Sequence, residues 1–209
     1  MPTTTIILCR HGESEGNRER RFGGHGPTPL TDVGRAQALA TGRALASAGI
    51  DAIYSSDLVR ATETASLIGE ATGAAVQPTF ALRERSVGQF TGLTFEEAQL
   101  RFPDAYATLL RREPHACPPG GETYIECRMR AAAFLDQALS RHSGGRLVLV
   151  SHNFTIYQLI LHILGLDATA PAARVFFQVD NCALHRFERL ETEAWRVLAL
   201  NERAHLDHV

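Results

Sequence analysis

The chain lacks most of what marks secreted, membrane and nucleic-acid-binding proteins. Its four cysteines in 209 residues, Cys9, Cys117, Cys127 and Cys182, are scattered, and no two stand at zinc-ligand spacing. Isolated thiols of this kind fit a reducing compartment, so a cytoplasmic location is expected. Cys9 continues an apolar run and reads as a buried structural thiol. No apolar run is long enough to span a bilayer. The longest apolar region, residues 154–164, is interrupted by Thr155, Gln158 and His162. The first five residues carry no positively charged side chain and the apolar run after them stops at Arg10, so no signal peptide is expected. Charge is balanced, with a formal net of -2 and no block of either sign. Composition therefore gives no electrostatic case for a nucleic acid or membrane partner. There is no internal repeat and no low-complexity tract.

What is present is an alternation of short apolar runs with helical patterns. Residues 5–9, 52–55, 147–151 and 175–179 read as strands. Three of these are apolar on both faces, as in a parallel sheet covered by helices. Thr31 is a suitable N-cap for a helix with Val33, Ala36, Ala40 and Ala44 in its stripe, closed by Gly49. A second helix begins near Ser56 and Asp57, with Leu58, Ala61, Ala65 and Ile68 on one face. A third follows Gly120 and Gly121, with Ile125, Met129, Ala132, Leu135 and Leu139 inward. A fourth, 153–164, is apolar nearly all round and should be buried, His162 included. Residues 85–120 break the rhythm with repeated Gly and Pro around a helical stretch at 95–112, and read as a cap insertion over the sheet edge. Residues 182–187 and 195–200 form an expected hairpin. The predicted fold is a three-layer α/β/α sandwich: one domain over residues 1–209, a mostly parallel central sheet, a terminal antiparallel hairpin and a small helical cap.

In such a fold the site lies at the carboxyl ends of the strands, and polar residues stand there. Arg10 and His11 follow the first strand. Ser55 and Ser56 follow the second, with Arg60 one turn into the next helix, leaning back toward the strand ends. Arg83, Glu84 and Arg85 follow an extended segment at 76–82. Ser151, His152 and Asn153 follow the strand at 147–150. Two arginines, two histidines and one carboxylate in one crevice call for an anion, because clustered cations are otherwise uncompensated. A phosphate supplies that charge and its acceptor oxygens, and amides at the helix start near Asn153 would add donors. A metal held by His11, His152 and Glu84 is disfavoured, since two adjacent arginines would repel it.

The order of these pieces resembles the histidine phosphatase superfamily, in the branch shared with cofactor-dependent phosphoglycerate mutases. Arg10-His11-Gly12-Glu13-Ser14 with Asn17 comes first, then Pro29-Leu30-Thr31 with Gly34 and Gln37, then Ser55-Ser56-Asp57-Leu58 with Arg60-Ala61. Leu82-Arg83-Glu84 with Gly88 and Gly92, Pro119-Gly120-Gly121-Glu122 and Ser151-His152 complete the series. The resemblance implies a histidine acid phosphatase-type phosphomonoesterase that needs no cofactor or metal. His11 would be the nucleophile, with its second ring nitrogen held by a backbone carbonyl. Arg10, Arg60 and His152 would grip the phosphoryl oxygens with help from Asn17. Glu84 would be the general acid, which must start the cycle protonated. Gly23 and Gly24 match where mutase relatives touch substrate, and Glu13 and Ser14 should brace the loop. Asn153 departs from the usual Gly, but Asn tolerates left-handed geometry, and its side chain is a candidate substrate contact. Phe90-Thr91-Gly92 keeps the family's aromatic and loses its acid.

The reaction expected from the resemblance is hydrolysis of a small phosphate ester by a monomer or homodimer. A phosphoglycerate mutase is the alternative, disfavoured because mutases of this branch carry longer capping segments. A silent phospho-ligand binder is a third, disfavoured by the full catalytic set. Residues 18–27, 85–120 and those after His152 should set specificity, with sugar phosphates, nucleotides, phosphoserine and cobalamin-pathway phosphates all open. Arg18, Arg20 and Arg21 read as a solvated face, and His25 and His115 as loop residues near the pocket border.

Overall fold

The computed structural model describes residues 2–111, 113, 115–166 and 176–209. In chain order its elements are β1 (Thr4–Arg10), α1 (Glu15–Arg18), α2 (Asp32–Leu45), β2 (Ala52–Ser56), α3 (Val59–Thr72) and β3 (Val76–Thr79). There follow α4 (Phe95–Arg101), α5 (Pro103–Leu110), α6 (Tyr124–Arg141), β4 (Arg146–Ser151), α7 (Asn153–Ile163), β5 (Leu184–Arg189) and β6 (Trp195–Glu202). The strands form one sheet in the order β3-β2-β4-β1-β5-β6. The first four run parallel, and β5 and β6 add antiparallel to β1 and to each other.

Continuous apolar runs make the two central strands. Ile6 to Cys9 and Leu147 to Val150 are wholly buried, because helices cover both faces. On one face Ile7, Ile53, Val148 and Val150 meet Leu45 of α2 and Ala61, Ala65 and Ile68 of α3. On the other, Ile6, Leu8, Leu147 and Leu149 meet Ala131 and Leu135 of α6 and Ile156, Leu159 and Ile160 of α7. The cap has its own cluster, in which Phe22, Val87, Phe90, Ala98, Leu109 and Tyr124 come together. The β1–β4 register sets the site. Arg10 pairs with Ser151, so the chains leave the sheet side by side and the His11 amide donates to the Ser151 carbonyl at 3.0 Å.

Several local expectations are corrected. Residues 176–179 are irregular rather than a strand; Val175, and likewise Arg112 and Pro114 of the cap, lie outside the described residues. The 95–112 stretch is two helices, broken at Phe102 where Pro103 opens the second. In α2 Ala40 is buried as expected, with Gly34, Ala38, Thr41, Gly42 and Leu45, while Val33 and Ala44 are exposed. The small residues there admit α3: a Cβ on Gly42 would stand 2.9 Å from Ala71 Cβ. In α6 Ala132 and Leu135 are buried as expected, joined by Tyr124, Cys127, Ala131 and Ala138, but Met129 is 67% exposed. His162 is half-buried beside Asp136, not a core histidine.

The loop after β1 approaches the start of α2 very closely. A Cβ on Gly34 would lie 2.0 Å from the Glu13 carbonyl oxygen, and one on Gly12 would lie 2.3 Å from that of Gly34. Thr31 caps α2 through the Gly34 amide, and its hydroxyl also reaches Glu13 Oε1 at 2.8 Å. Gly34→Ala must therefore move backbone on one side or the other. It is expected to cost about 3 kcal/mol, the upper end of ordinary overpacking, read as a fall in the urea unfolding midpoint.

Candidate active site

The carboxyl ends of β1, β2 and β4 open into a cavity of about 460 Å³. Arg10, His11, Asn17, Gly23, Gly24, Arg60, Glu84 and Asn153 all line it. His152 lies just behind this wall, fully buried, with its ring centroid 5.0 Å from that of His11. Every residue singled out from the sequence for the site is thus brought together.

His11 is held in one tautomer. Its Nδ1 stands 2.7 Å from the Gly12 carbonyl oxygen, which can only accept, so the proton sits on Nδ1. Nε2 then carries the lone pair and accepts from Arg60 Nε at 3.2 Å. Burial, then the charges of Arg60 and Arg10, push the His11 pKa well below the usual histidine value, against the pull of the Gly12 carbonyl. The ring is neutral at pH 7, with its free lone pair on Nε2.

His152 complements it. Ser56 Oγ accepts from the Leu58 amide at 3.2 Å, and among the described residues the acceptor left for its own proton is His152 Nε2 at 2.8 Å. That leaves the proton of a neutral His152 on Nδ1, which is buried without a partner. Burial, followed by Arg60, His11, Arg10 and His25, keeps this ring neutral as well. Arg10 spends Nη1 on the Val179 carbonyl at 2.8 Å and holds a buried, unpartnered Nε. The region read as a fourth strand thus contributes an anchor for Arg10 instead.

Arg60, at the second position of α3, is almost fully buried. Carbonyls of the 23–28 loop aim its guanidinium: Nη2 donates to Gly24 O at 2.8 Å, and Nη1 to Gly26 O at 3.1 Å and Thr28 Oγ1 at 3.2 Å. Burial lowers its pKa to about 10, so it is still charged at neutral pH. Gly24 therefore lines the cavity and orients Arg60 through its backbone. It has φ +44 and no room for a Cβ, which would stand 2.6 Å from Val87 Cγ2.

Asn17 closes a capping box on α1 with Ser14. Its Oδ1 accepts from Ser14 N, Ser14 Oγ and Asn181 Nδ2, each at 3.1 Å. The amide NH2 is consequently the end left to donate into the cavity. Asn181 also donates to the His11 carbonyl at 2.9 Å. Sequence reading missed Asn181; the signal was its place just before a strand that pairs antiparallel with β1, which returns it to the His11 end. Glu13 and Ser14 serve the loop itself, as expected.

Glu84 accepts from the amides of Arg85 at 2.8 Å and of Phe154 and Thr155 at 3.3 Å each. The amides at the start of α7, expected to face a phosphate, instead position this carboxylate. Neither neighbouring arginine pairs with it. Arg83 makes a bidentate pair with Asp57 at 2.6 and 2.7 Å, and Arg85 lies 4.0 Å over the Tyr124 ring. Asn153 is the first residue of α7 with helical backbone rather than left-handed, and reaches the cavity with its side chain. His25 contacts the Glu84 carbonyl from outside the lining at 2.8 Å, and His115 is exposed away from it. Arg21, read as part of a solvated face, lines the mouth. Among the described residues no group of three or more His, Cys, Asp or Glu is arranged to hold a metal, and no helix is long and apolar enough to cross a membrane.

A neutral imidazole nitrogen ringed by cationic donors, with a carboxylate across the cavity, is a phosphoryl-transfer arrangement. The histidine phosphatase superfamily (branch 1) matches residues 6–203, and the chain belongs to that family. Its chemistry is that of a phosphatase or related phosphoryl-transfer enzyme. The chain is 35% identical, over 97% of its own length and 94% of the relative's, to a probable phosphoglycerate mutase of Salmonella typhi. Two solved structures share the whole fold. A mycobacterial glucosyl-3-phosphoglycerate phosphatase superposes with TM-score 0.85 at 27% identity, covering 96% of this chain and 100% of that one. A putative alpha-ribazole-5'-P phosphatase from Escherichia coli gives TM-score 0.86 at 27% identity, covering 96% and 97%.

Proposed function

We propose that this protein is a metal-independent phosphomonoester hydrolase working through a phosphohistidine on a small phosphorylated metabolite. The observation that carries the reading is the fixed His11 tautomer, with a lone pair on Nε2 inside a ring of cationic donors. In the first step the Nε2–P bond forms and the P–O bond to the alcohol breaks. Glu84 gives its proton to the departing oxygen. Arg60 moves its donation from Nε2 to the phosphoryl oxygens as the nitrogen attacks, joined by Arg10 Nε, His152 Nδ1–H and the Asn17 amide. In the second step water attacks phosphorus, Glu84 takes a proton from it, and the N–P bond breaks to release phosphate and neutral His11. Two arginines beside the imidazoles, Arg60 buried and Arg10 partly so, supply the positive charge that a metal would otherwise bring. A cytoplasmic location follows from the scattered thiols. The sequence likeness to a probable phosphoglycerate mutase favours a second reading, in which the phosphoryl group returns to a phosphoglycerate.

The test is an assay of phosphate release from aryl and alkyl phosphates in the presence of a chelator, with 3-phosphoglycerate in parallel. Hydrolysis predicts one phosphate per alcohol and no 2-phosphoglycerate; interconversion of the phosphoglycerates without phosphate release would establish the mutase. In the same assay Glu84→Gln should slow alkyl phosphates by about 10²-fold or more, the usual range for a general acid, and aryl phosphates much less.

A further inference from the structure

Apart from Arg21, the charged groups of the cavity stand at its inner end. Toward the mouth its wall is Phe95, Tyr106, Leu109, Leu110, Phe154 and Phe176. Leu110 and Phe176 are 65% and 62% exposed at the rim, a position where apolar surface gains by being covered. Among the described residues, Arg21 and the Tyr124 hydroxyl, both in the lining, are already committed, and Arg20 lies over the Phe95 ring at 5.9 Å. Arg21 donates to Glu19, to the Gly92 carbonyl and toward Glu97. The Tyr124 hydroxyl donates to the Leu109 carbonyl at 3.5 Å. Arg85, the cation nearest the aromatic wall, is withheld beneath it. It is wholly buried, its guanidinium lies over the Tyr124 and Phe154 rings, and Nη1 is tied to the carbonyls of Ala116 and Glu122. A sugar or carboxylate leaving group seated here would give up water and meet carbon.

We infer that the preferred substrate is the phosphate monoester of an apolar alcohol, alkyl or aryl, whose carbon skeleton lies on this wall while His11 attacks its phosphorus. The inference rests on the hydrolase reading above and adds the leaving-group class to it. A homologous set of primary alkyl phosphates, ethyl to hexyl, separates the effect from leaving-group chemistry, because their alcohols are nearly equal in acidity. Each added methylene should raise kcat/KM about three- to fourfold while it is being buried, and hexyl phosphate should exceed glycerol phosphate and 3-phosphoglycerate. 2-Naphthyl phosphate should exceed phenyl phosphate. Leu110→Ser should reduce the hexyl-to-ethyl ratio of kcat/KM severalfold and Leu110→Met should restore it. Leu110 is exposed, so neither change threatens the fold. Phosphate release with a flat chain-length series, or with the glycerol or glycerate ester preferred, overturns this inference and leaves the hydrolase intact. No phosphate from any ester in the set overturns both.

Discussion

His11→Ala is expected to lower kcat by about 10⁴-fold or more, the range seen when a covalent nucleophile is lost. The size follows from the geometry. Among the described residues no second imidazole offers a lone pair to the inner cavity, since His152 presents an N–H, and the Ser14 hydroxyl caps α1. Binding of phosphate or vanadate should survive within about tenfold. Arg10, Arg60 and His152 remain, and each charge-assisted hydrogen bond they make contributes about 1.5–3 kcal/mol. Arg60 Nε, deprived of its acceptor on His11, is released to the anion. The two halves of the prediction separate chemistry from folding. Steady-state turnover reads the first, and the rise in unfolding temperature with added vanadate reads the second. Turnover within tenfold of the parent would sink the phosphohistidine mechanism, whereas loss of vanadate stabilisation would mean that the imidazole also holds the pocket open.

Stability should fall steeply as the solution is acidified below pH 6.5. His11, His152 and His185 are buried and neutral, and burial is the largest cause of the lowered pKa in each. For His185 it falls to about 4. The unfolded chain titrates these groups near pH 6.5. Between that value and the folded pKa the unfolded state binds more protons, so unfolding becomes easier as pH falls. The stabilisation is complete above pH 6.5 and is lost on the way down toward the folded values. Each histidine contributes a slope of up to about 1.4 kcal/mol per pH unit, and the three together about 4 near pH 5. Asp57 and Asp180 also have lowered pKa values. As carboxylates they lose their contribution only below their ordinary value of 3.8, outside this window. Urea unfolding from pH 7.5 to 5 measures the slope. His185→Asn should flatten it by about one histidine's share; equal stability at pH 7 and pH 5 would contradict the buried neutral state.

Much of the site was legible along the chain because its chemistry needs particular residue types at strand ends. Arg10-His11 after an apolar run, Arg60 one turn into a helix and His152 after a second apolar run are local patterns. Their side chains have few functions in common other than holding an anion. Helix faces were less legible where small and large apolar residues compete. Met129 lies outside, whereas Ala131 is inside, in one cluster with Ile6, Leu8, Leu147 and Leu149 of the sheet, a placement invisible in periodicity. At 176–179 the apolar residues serve other ends than a ladder: Phe176 lines the cavity, and Phe177 and Val179 pack on the core beside α6 and α7.

By itself the sequence determined the alternating layers, the family and the groups proposed to meet phosphate, since each depends on residue identity and local order. Tertiary structure alone decided which nitrogen of His152 carries the proton, through Ser56. It also assigned the α7 amides to Glu84, and brought Asn181 from the far end of the chain to His11. These are properties of register and approach between segments distant in sequence. A hydrogen bond's direction depends on what lies 3 Å away, and no stretch of sequence contains both partners.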